Sequence, residues 1–227
     1  MKKEATREQE NREDYSACLD NRQPTETSEN SGFVLISVFA PDHVNDEYDY
    51  EYKEFVEWYK AGEELENILD SLRNYDAIDC RISLAEYSEP KHDIEHIERI
   101  RTLIVYIPQN EKFYYSTVEE ARDALLEIFR EHRIPHPNEI QYVIGGYYVK
   151  WKLAKGFSGS EILLWKWVQR TLKDKIASEL GTDLTDCDDA TEMLYASGFK
   201  NSSYVGFDLS EKVITIYRNE EEYSSPI

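Results

Sequence analysis

Apolar residues along this chain alternate between short continuous runs and stripes spaced three or four apart, which predicts a mixed order of strands and helices. Phe33-Val-Leu-Ile-Ser-Val-Phe39 is a β-branched and aromatic run closed by Ala40-Pro41, and it predicts a buried strand. Phe55, Trp58, Leu65, Ile68, Leu69 and Leu72 recur at helical spacing behind an acidic lead that runs from Asp42 to Glu57 and interleaves Tyr48, Tyr50 and Tyr52. The expectation there is one amphipathic helix. A strand over 78–85, a short charged helix near 94–100 and a strand through Leu103-Ile-Val-Tyr-Ile107 follow. Thr117 with Glu120 forms a capping-box signature before a helix carrying Ala121, Leu125, Ile128 and Phe129. Ile134-Pro-His-Pro-Asn138 breaks that helix, and residues 140–153 read as two strands around Gly145-Gly146, a hairpin signal. Residues 160–180 form the strongest helical pattern, with Ile162, Leu163, Trp165, Trp167, Val168, Leu172 and Ile176 on a broad apolar face. A last strand spans 213–217.

Residues 1–31 lack large aliphatic side chains almost entirely, so burial there cannot offset the entropy of ordering, and a disordered polar tail is expected. The remainder, 32–227, suits a single domain: the chain has 227 residues and 41% hydrophobic content. With 26 basic and 46 acidic residues the formal net charge is -20, which repels nucleic acid and anionic membrane except at a local patch. Cys18, Cys80 and Cys187 are far apart, so neither a disulfide framework nor a zinc knuckle is expected. No secretory leader and no apolar run of about 20 residues stands out, which points to a cytoplasmic protein with no membrane contact.

Several segments together resemble the replication-type primases of plasmids and mobile elements, within the archaeo-eukaryotic primase superfamily. They are Ile134-Pro-His-Pro-Asn138, Gly146, the strand ending at Trp151, Leu164-Trp165 with Val168-Gln169, Gly181-Thr-Asp183, and Asp189-Ala190 with Gly198 and Asn201. Upstream, Ile82-Ser-Leu84 and Arg101-Thr102-Leu103 look like the approach to that family's metal-binding strand. The likeness runs from about residue 78 to 218, and no single motif carries it. It implies an α+β fold: a primase-like catalytic core with an RRM-like mixed or antiparallel sheet backed by helices, beside a smaller N-terminal α/β portion.

Departures from the family pattern fall on its reactive positions. The resemblance implies a D-x-D pair on the strand after the Arg-x-Leu segment, two carboxylates on one face that hold divalent metal; this chain has Tyr106 and Pro108 there. Its phosphate-gripping S-G-R-G turn corresponds to Val143, Ile144, Gly145 and Gly146, and the two arginines of its final loop to Glu192 and Tyr195. Asp183 and Asp189 remain as candidate vestigial carboxylates, but the ordinary chemistry of turns and caps is the better reading, for Asp189 especially. No metal site is therefore expected, and no cofactor; magnesium or manganese enters only if the chain is an active primase with a rearranged metal set.

His92-Asp-Ile-Glu-His96 matches an H-x-x-E-H zinc pattern, but a solvated charged face is the better reading of so short a match. Cys187 lies among Asp186, Asp188 and Asp189, whose charges disfavour a thiolate. One basic stretch stands out: Lys150, Lys152, Lys155, Lys166, Arg170, Lys173 and Lys175, near Tyr147, Tyr148 and Trp151, a candidate strip for a phosphate backbone and stacked bases. The function expected is a catalytically degenerate primase-like subunit in the DNA replication of a mobile element or phage, contacting a helicase, a polymerase or the DNA template. Two alternatives stay open: an active primase-polymerase, and a non-replicative protein whose acidic surface binds a basic partner.

Overall fold

A computed structural model of the chain describes residues 32–44, 50–75, 77–110, 113, 115–143, 145–201, 212–220 and 223, with backbone only at 40–44, 50–52, 63 and 64. The polar stretch 1–31, Tyr48 and its neighbours 45–49, and Ile144 of the hairpin turn lie outside the described residues. The segment from Gly32 onward belongs to one compact unit.

Nine strands and three α-helices alternate among the described residues. In chain order they are β1 (Phe33–Val44), β2 (Tyr50–Lys60), α1 (Glu63–Asn74), β3 (Ile78–Ser83), β4 (Glu86–Tyr87), β5 (Ile97–Pro108), α2 (Val118–Glu131), β6 (Glu139–Val143), β7 (Gly146–Ser158), α3 (Ile162–Leu180), β8 (Met193–Tyr195) and β9 (Ile214–Arg218). They form one sheet in the order β8-β3-β1-β4-β5-β7-β6-β9, with β2 paired to the opposite edge of β1. Every pairing between named strands is antiparallel, so the sheet is not mixed; parallel contact is confined to the isolated bridges Ile78–Lys200 and Leu153–Tyr223. The fold is α+β, a large antiparallel sheet backed by helices.

Strand β1 runs past Pro41, where its register with β2 slips between Pro41 and His43, instead of ending at Ala40-Pro41. The expected amphipathic helix is split: Phe55 and Trp58 lie in β2, and the helix begins only after Gly62, whose φ of 140° suits glycine. Alternation along β2 accounts for the false helical spacing. Phe55 and Tyr59 pack toward Leu69 and Leu72 of α1, while Trp58 stands edge-on to Tyr87, 5.3 Å between centroids. The charged helix expected near 94–100 is a single 3-10 turn, Ile94–His96, leading into β5. A register shift against β7 between Ile100 and Thr102 lets Ile97, Ile100 and Leu103 all bury, a three-residue spacing that imitates a helix.

The principal core lies between the central strands and helices α2 and α3. Leu103, Val105 and Ile107 of β5 with Tyr147, Val149, Trp151 and Leu153 of β7 meet Leu125 and Phe129 of α2 and Trp165, Val168 and Leu172 of α3. Helix α2 opens as expected, Thr117 accepting from the Glu120 backbone N–H, and the 3-10 turn Gly159–Glu161 that leads into α3 carries a Ser158–Glu161 capping box. Gly181 ends α3 in the left-handed conformation with two backbone bonds, Thr182 N–H to the Ala177 carbonyl and Gly181 N–H to the Ser178 carbonyl. The apolar face of α3 is narrower than its sequence indicates: Trp165 is buried, whereas Leu163 and Trp167 are exposed.

Strand β4 covers only the first residues of β5, which leaves the edge of β5 beyond them without a strand partner. Helix α3 fills that gap with side chains. The buried Gln169 amide accepts from Ile104 N–H at 3.0 Å and donates to Ile104 C=O, and the Trp165 indole donates to Thr102 C=O at 3.1 Å. Two buried backbone groups are thus satisfied by one side chain. Gln169→Ala should cost about 2–4 kcal/mol, since each orphaned buried group costs about 1–3 kcal/mol. Urea denaturation should show a lower midpoint with an unchanged slope.

Candidate functional site

On the face of β5 and β7 turned away from α2 and α3, cross-strand partners align Ile104 with Lys150, Tyr106 with Tyr148, and Pro108 with Gly146. The hairpin turn wraps around the Tyr106 ring. A β-carbon at Gly146 would meet the ring at 2.8 Å and the Ile107 carbonyl oxygen at 2.4 Å, so this close approach admits only glycine. Val143 is buried beside the turn, and Gly145 takes a φ of 80°.

The segment after α3 closes the site from the other side. Thr185 bridges antiparallel to Tyr106, so the loop runs along the outer edge of β5. Two residues on, the same direction carries Cys187 toward Ile104. Cys187 and Ile104 do pack together, with Leu194, Tyr106 and Tyr148 around them. Tyr106 and Tyr148 meet at 5.4 Å between centroids, and Tyr195 of β8 holds Arg81, whose guanidinium both stacks on the ring and donates to its hydroxyl at 2.8 Å. Tyr106 and Tyr148 therefore come together with Cys187 and Leu194 from separate segments into one apolar cluster, and Glu192 and Tyr195 lie close enough to raise the Tyr148 phenol.

Electrostatics of the cluster follow from burial. Desolvation, joined by Glu192, lifts the Tyr148 phenol well above its ordinary range. It also pushes the Cys187 thiol up to about 12, with Glu192 adding to the effect, and the same cause puts Cys80 at about 12. Neither thiol is a nucleophile. Burial, then Asp189 and Asp188, raise the carboxyl of half-buried Glu192. Asp189 moves the other way, because its carboxylate accepts from the Thr191 backbone N–H at 2.9 Å and hydroxyl at 2.8 Å. That geometry is an Asx-type turn. Asp183 is exposed.

The basic strip read from the sequence does not form one surface. Trp151 is fully buried, its indole donating to the Pro135 carbonyl oxygen at 2.9 Å, and Tyr147 is buried beside it, so neither ring can stack on a base. Alternation along β7 is the reason: Tyr147, Val149 and Trp151 point into the core, and Tyr148, Lys150 and Lys152 point out of it. Lys150 donates to Gln141 at 2.6 Å, and burial lowers its pKa. Lys152 and Lys155 are exposed. On α3, Arg170 is paired with Asp188 and Lys173 with Asp186 and Asp174, and Lys166 lies close enough to Asp189 to lower its pKa. The loop's acids neutralise much of the helix's charge.

The H-x-x-E-H residues likewise diverge. His96 pairs with Asp93, whereas His92 reaches the Thr191 carbonyl oxygen at 2.8 Å. Among the described residues no three His, Cys, Asp or Glu side chains form a group that could hold a metal ion. Nor is any helix of the described residues long and apolar enough to cross a membrane.

No family model matches the chain, and no curated protein does. Among solved structures it is similar to the AEP domain of the cyanophage S-2L primase-polymerase, at 9% sequence identity and a TM-score of 0.49, over 84% of each chain. It is also similar to the catalytic domain of primase RepB′ in complex with initiator DNA, at 17% identity and a TM-score of 0.44, over 86% of this chain and 81% of that one. A second structure of primase RepB′ aligns at 16% identity and a TM-score of 0.45, over 86% of this chain and 54% of that one.

Sequence reading missed the polar ladder beside the cluster. Glu139 and Gln141 of β6 are buried opposite Lys150 and Tyr148, and on β9 Thr215 donates to Glu139 at 3.2 Å while Arg218 approaches it. The signal was present: a turn at Gly145-Gly146 fixes the hairpin register, which sets Glu139 against Lys150.

Glu192 yields a pH test. Its folded pKa lies above its unfolded one, so the fold binds the proton more tightly; this contribution is complete below the unfolded pKa and is lost as pH rises through the folded value. Glu192→Gln should therefore raise the melting temperature at pH 7.5 and leave it nearly unchanged at pH 4. Paired thermal melts check both arms.

Proposed function

We propose that this chain is a primase-like protein that has lost nucleotidyl transfer and serves as a binding or accessory subunit in DNA replication, of the kind carried by mobile elements or phages. One observation carries the reading. At the strand position where the resemblance requires a metal-holding carboxylate, Tyr106 is packed against Tyr148 and wedged under the Gly145-Gly146 turn. Replacing a carboxylate pair by a phenol and Pro108 removes the anionic oxygens that divalent metal needs.

Neighbouring positions support the same reading. The turn has Val143, Gly145 and Gly146 where phosphate contacts would need a hydroxyl and a guanidinium, and the last loop presents Glu192, which repels a triphosphate. Asp189 is spent on Thr191. Of the basic residues on β7, Lys152 and Lys155 are the exposed ones, and they suit a template strand or an acidic surface of a helicase or polymerase.

An active primase with a rearranged metal set would have to draw its carboxylates from Asp183, Asp189 or the acidic segment before the first helix, and of these Asp183 is exposed. Primer synthesis separates the two readings. Purified protein given single-stranded template, nucleoside triphosphates and either magnesium or manganese should yield no extended product. Template-dependent product that disappears in Asp183→Ala would overturn the reading.

A further inference from the structure

From Asp186 to Glu192 the loop after α3 carries four acids, and three of them are already matched. Asp186 receives Lys173, Asp188 receives Arg170, and Asp189 accepts from Thr191 with Lys166 near enough to lower its pKa. Glu192 is the exception. Among the described residues neither an ion pair nor a side-chain hydrogen bond reaches its carboxyl, and the charges that act on it are those of Asp189 and Asp188, both negative. A carboxylate held partly out of water without a counter-ion is unfavourable until a cation joins it.

The surroundings of Glu192 set the kind of cation. Glu192 and Tyr195 both act on the Tyr148 phenol, and Tyr106 lies 5.4 Å from Tyr148 between ring centroids. Glu192 and all three tyrosines are half-buried, so each keeps a part open to a partner, and beneath Tyr106 and Tyr148 lie buried Ile104, Cys187 and Leu194. Lys150, the next outward residue of β7, is engaged elsewhere: it donates to Gln141 and is set against Glu139 in the ladder. Tyrosine faces attract cations, and a planar guanidinium stacks on a ring while its N–H groups reach an oxygen. The protein already makes this contact once, where Arg81 lies with Cζ 4.8 Å from the Tyr195 ring centroid and donates to its hydroxyl at 2.8 Å.

We propose that Glu192, with Tyr148 and Tyr106 beside it, receives the guanidinium of an arginine presented by a basic segment of another protein. The inference rests on the reading that this site has lost its metal and triphosphate chemistry, and it reverses the sign of the ligand from anion to cation. Charge favours it on two scales: the carboxylate lacks a counter-ion locally, and the net charge of -20 draws a basic partner toward the whole chain. Lysine fits less well, because a compact ammonium has no plane to stack on a ring. A second copy of the chain would bring two strongly negative bodies together, and a nucleic-acid strand would set its phosphates against Glu192, Asp188 and Asp189. A divalent ion would find no group of three ligating side chains among the described residues.

The test uses the full chain and a fluorescein-labelled peptide of glycine, serine and lysine with one central arginine, read by anisotropy at about 0.15 M salt, where screening acts beyond about 8 Å. The peptide should bind saturably. Replacing its arginine by citrulline, which keeps the shape and removes the charge, should weaken binding at least about ten-fold, as expected for a lost charged hydrogen bond. On the protein, Glu192→Gln should weaken binding to the same extent and abolish the preference for arginine over citrulline, and Tyr148→Leu should weaken it several-fold. Glu66→Gln, which removes the same charge from an exposed position of α1, should leave the affinity unchanged. Thermal melts of each variant separate loss of docking from loss of fold. The proposal is overturned by absent peptide binding, by equal affinity for the arginine and citrulline peptides, by an affinity indifferent to Glu192→Gln, or by an equal loss in Glu66→Gln. It is equally overturned if magnesium displaces the peptide at matched ionic strength, or if Glu192 instead governs binding of a single-stranded oligonucleotide. Primer synthesis by the protein would undo the reading of the site, whereas failed peptide binding with no primer made would undo this inference alone.

Discussion

The satisfied edge of β5 is the constraint from which the rest of the structure follows. Ile100, Leu103, Ile104, Val105 and Ile107 are all fully buried, so the backbone groups of this stretch need partners. On one side β7 supplies a long antiparallel ladder. On the other, β4 stops early, and the Gln169 amide, the Trp165 indole and the bridge from Thr185 complete the edge in turn. Sealing the edge in this way also fixes where α3 lies and carries the following loop across the face that holds Tyr106 and Tyr148.

That loop decides the chemistry of the site. Its acids divide into two groups: Asp186, Asp188 and Asp189 have cationic or hydrogen-bonding partners, while Glu192 is folded inward among phenols and a thiol. Around it Cys187, Leu194 and Ile104 are buried, and Tyr106 and Tyr148 pack against them. The same packing explains the glycines of the hairpin. They make room for a ring that is far bulkier than a carboxylate.

Much of this was legible in local pattern. The hairpin at Gly145-Gly146, the capped helix starting after Thr117 and the long helix after Ser160 each announced themselves by turn chemistry and spacing, because their signals are short-range. The pattern failed where tertiary pairing changed the periodicity. Phe55 and Trp58 fit a helix until β1 pairs with β2, and Ile97 and Ile100 fit one until the irregularity opposite Thr102 turns both inward.

By itself, then, the sequence determined the α+β order, the positions of the glycine turns, and the absence of carboxylates at Tyr106 and Pro108, since each depends only on residue identity and near neighbours. Tertiary structure alone decided that Trp151 is core while Trp167 faces water, that Gln169 stands in for a strand, and that Tyr106 and Tyr148 pack with Cys187 and Leu194 close to Glu192 and Tyr195. The physical reason is range. Identity and turn chemistry act over a few residues, whereas burial and charge compensation depend on which distant segments the sheet brings side by side.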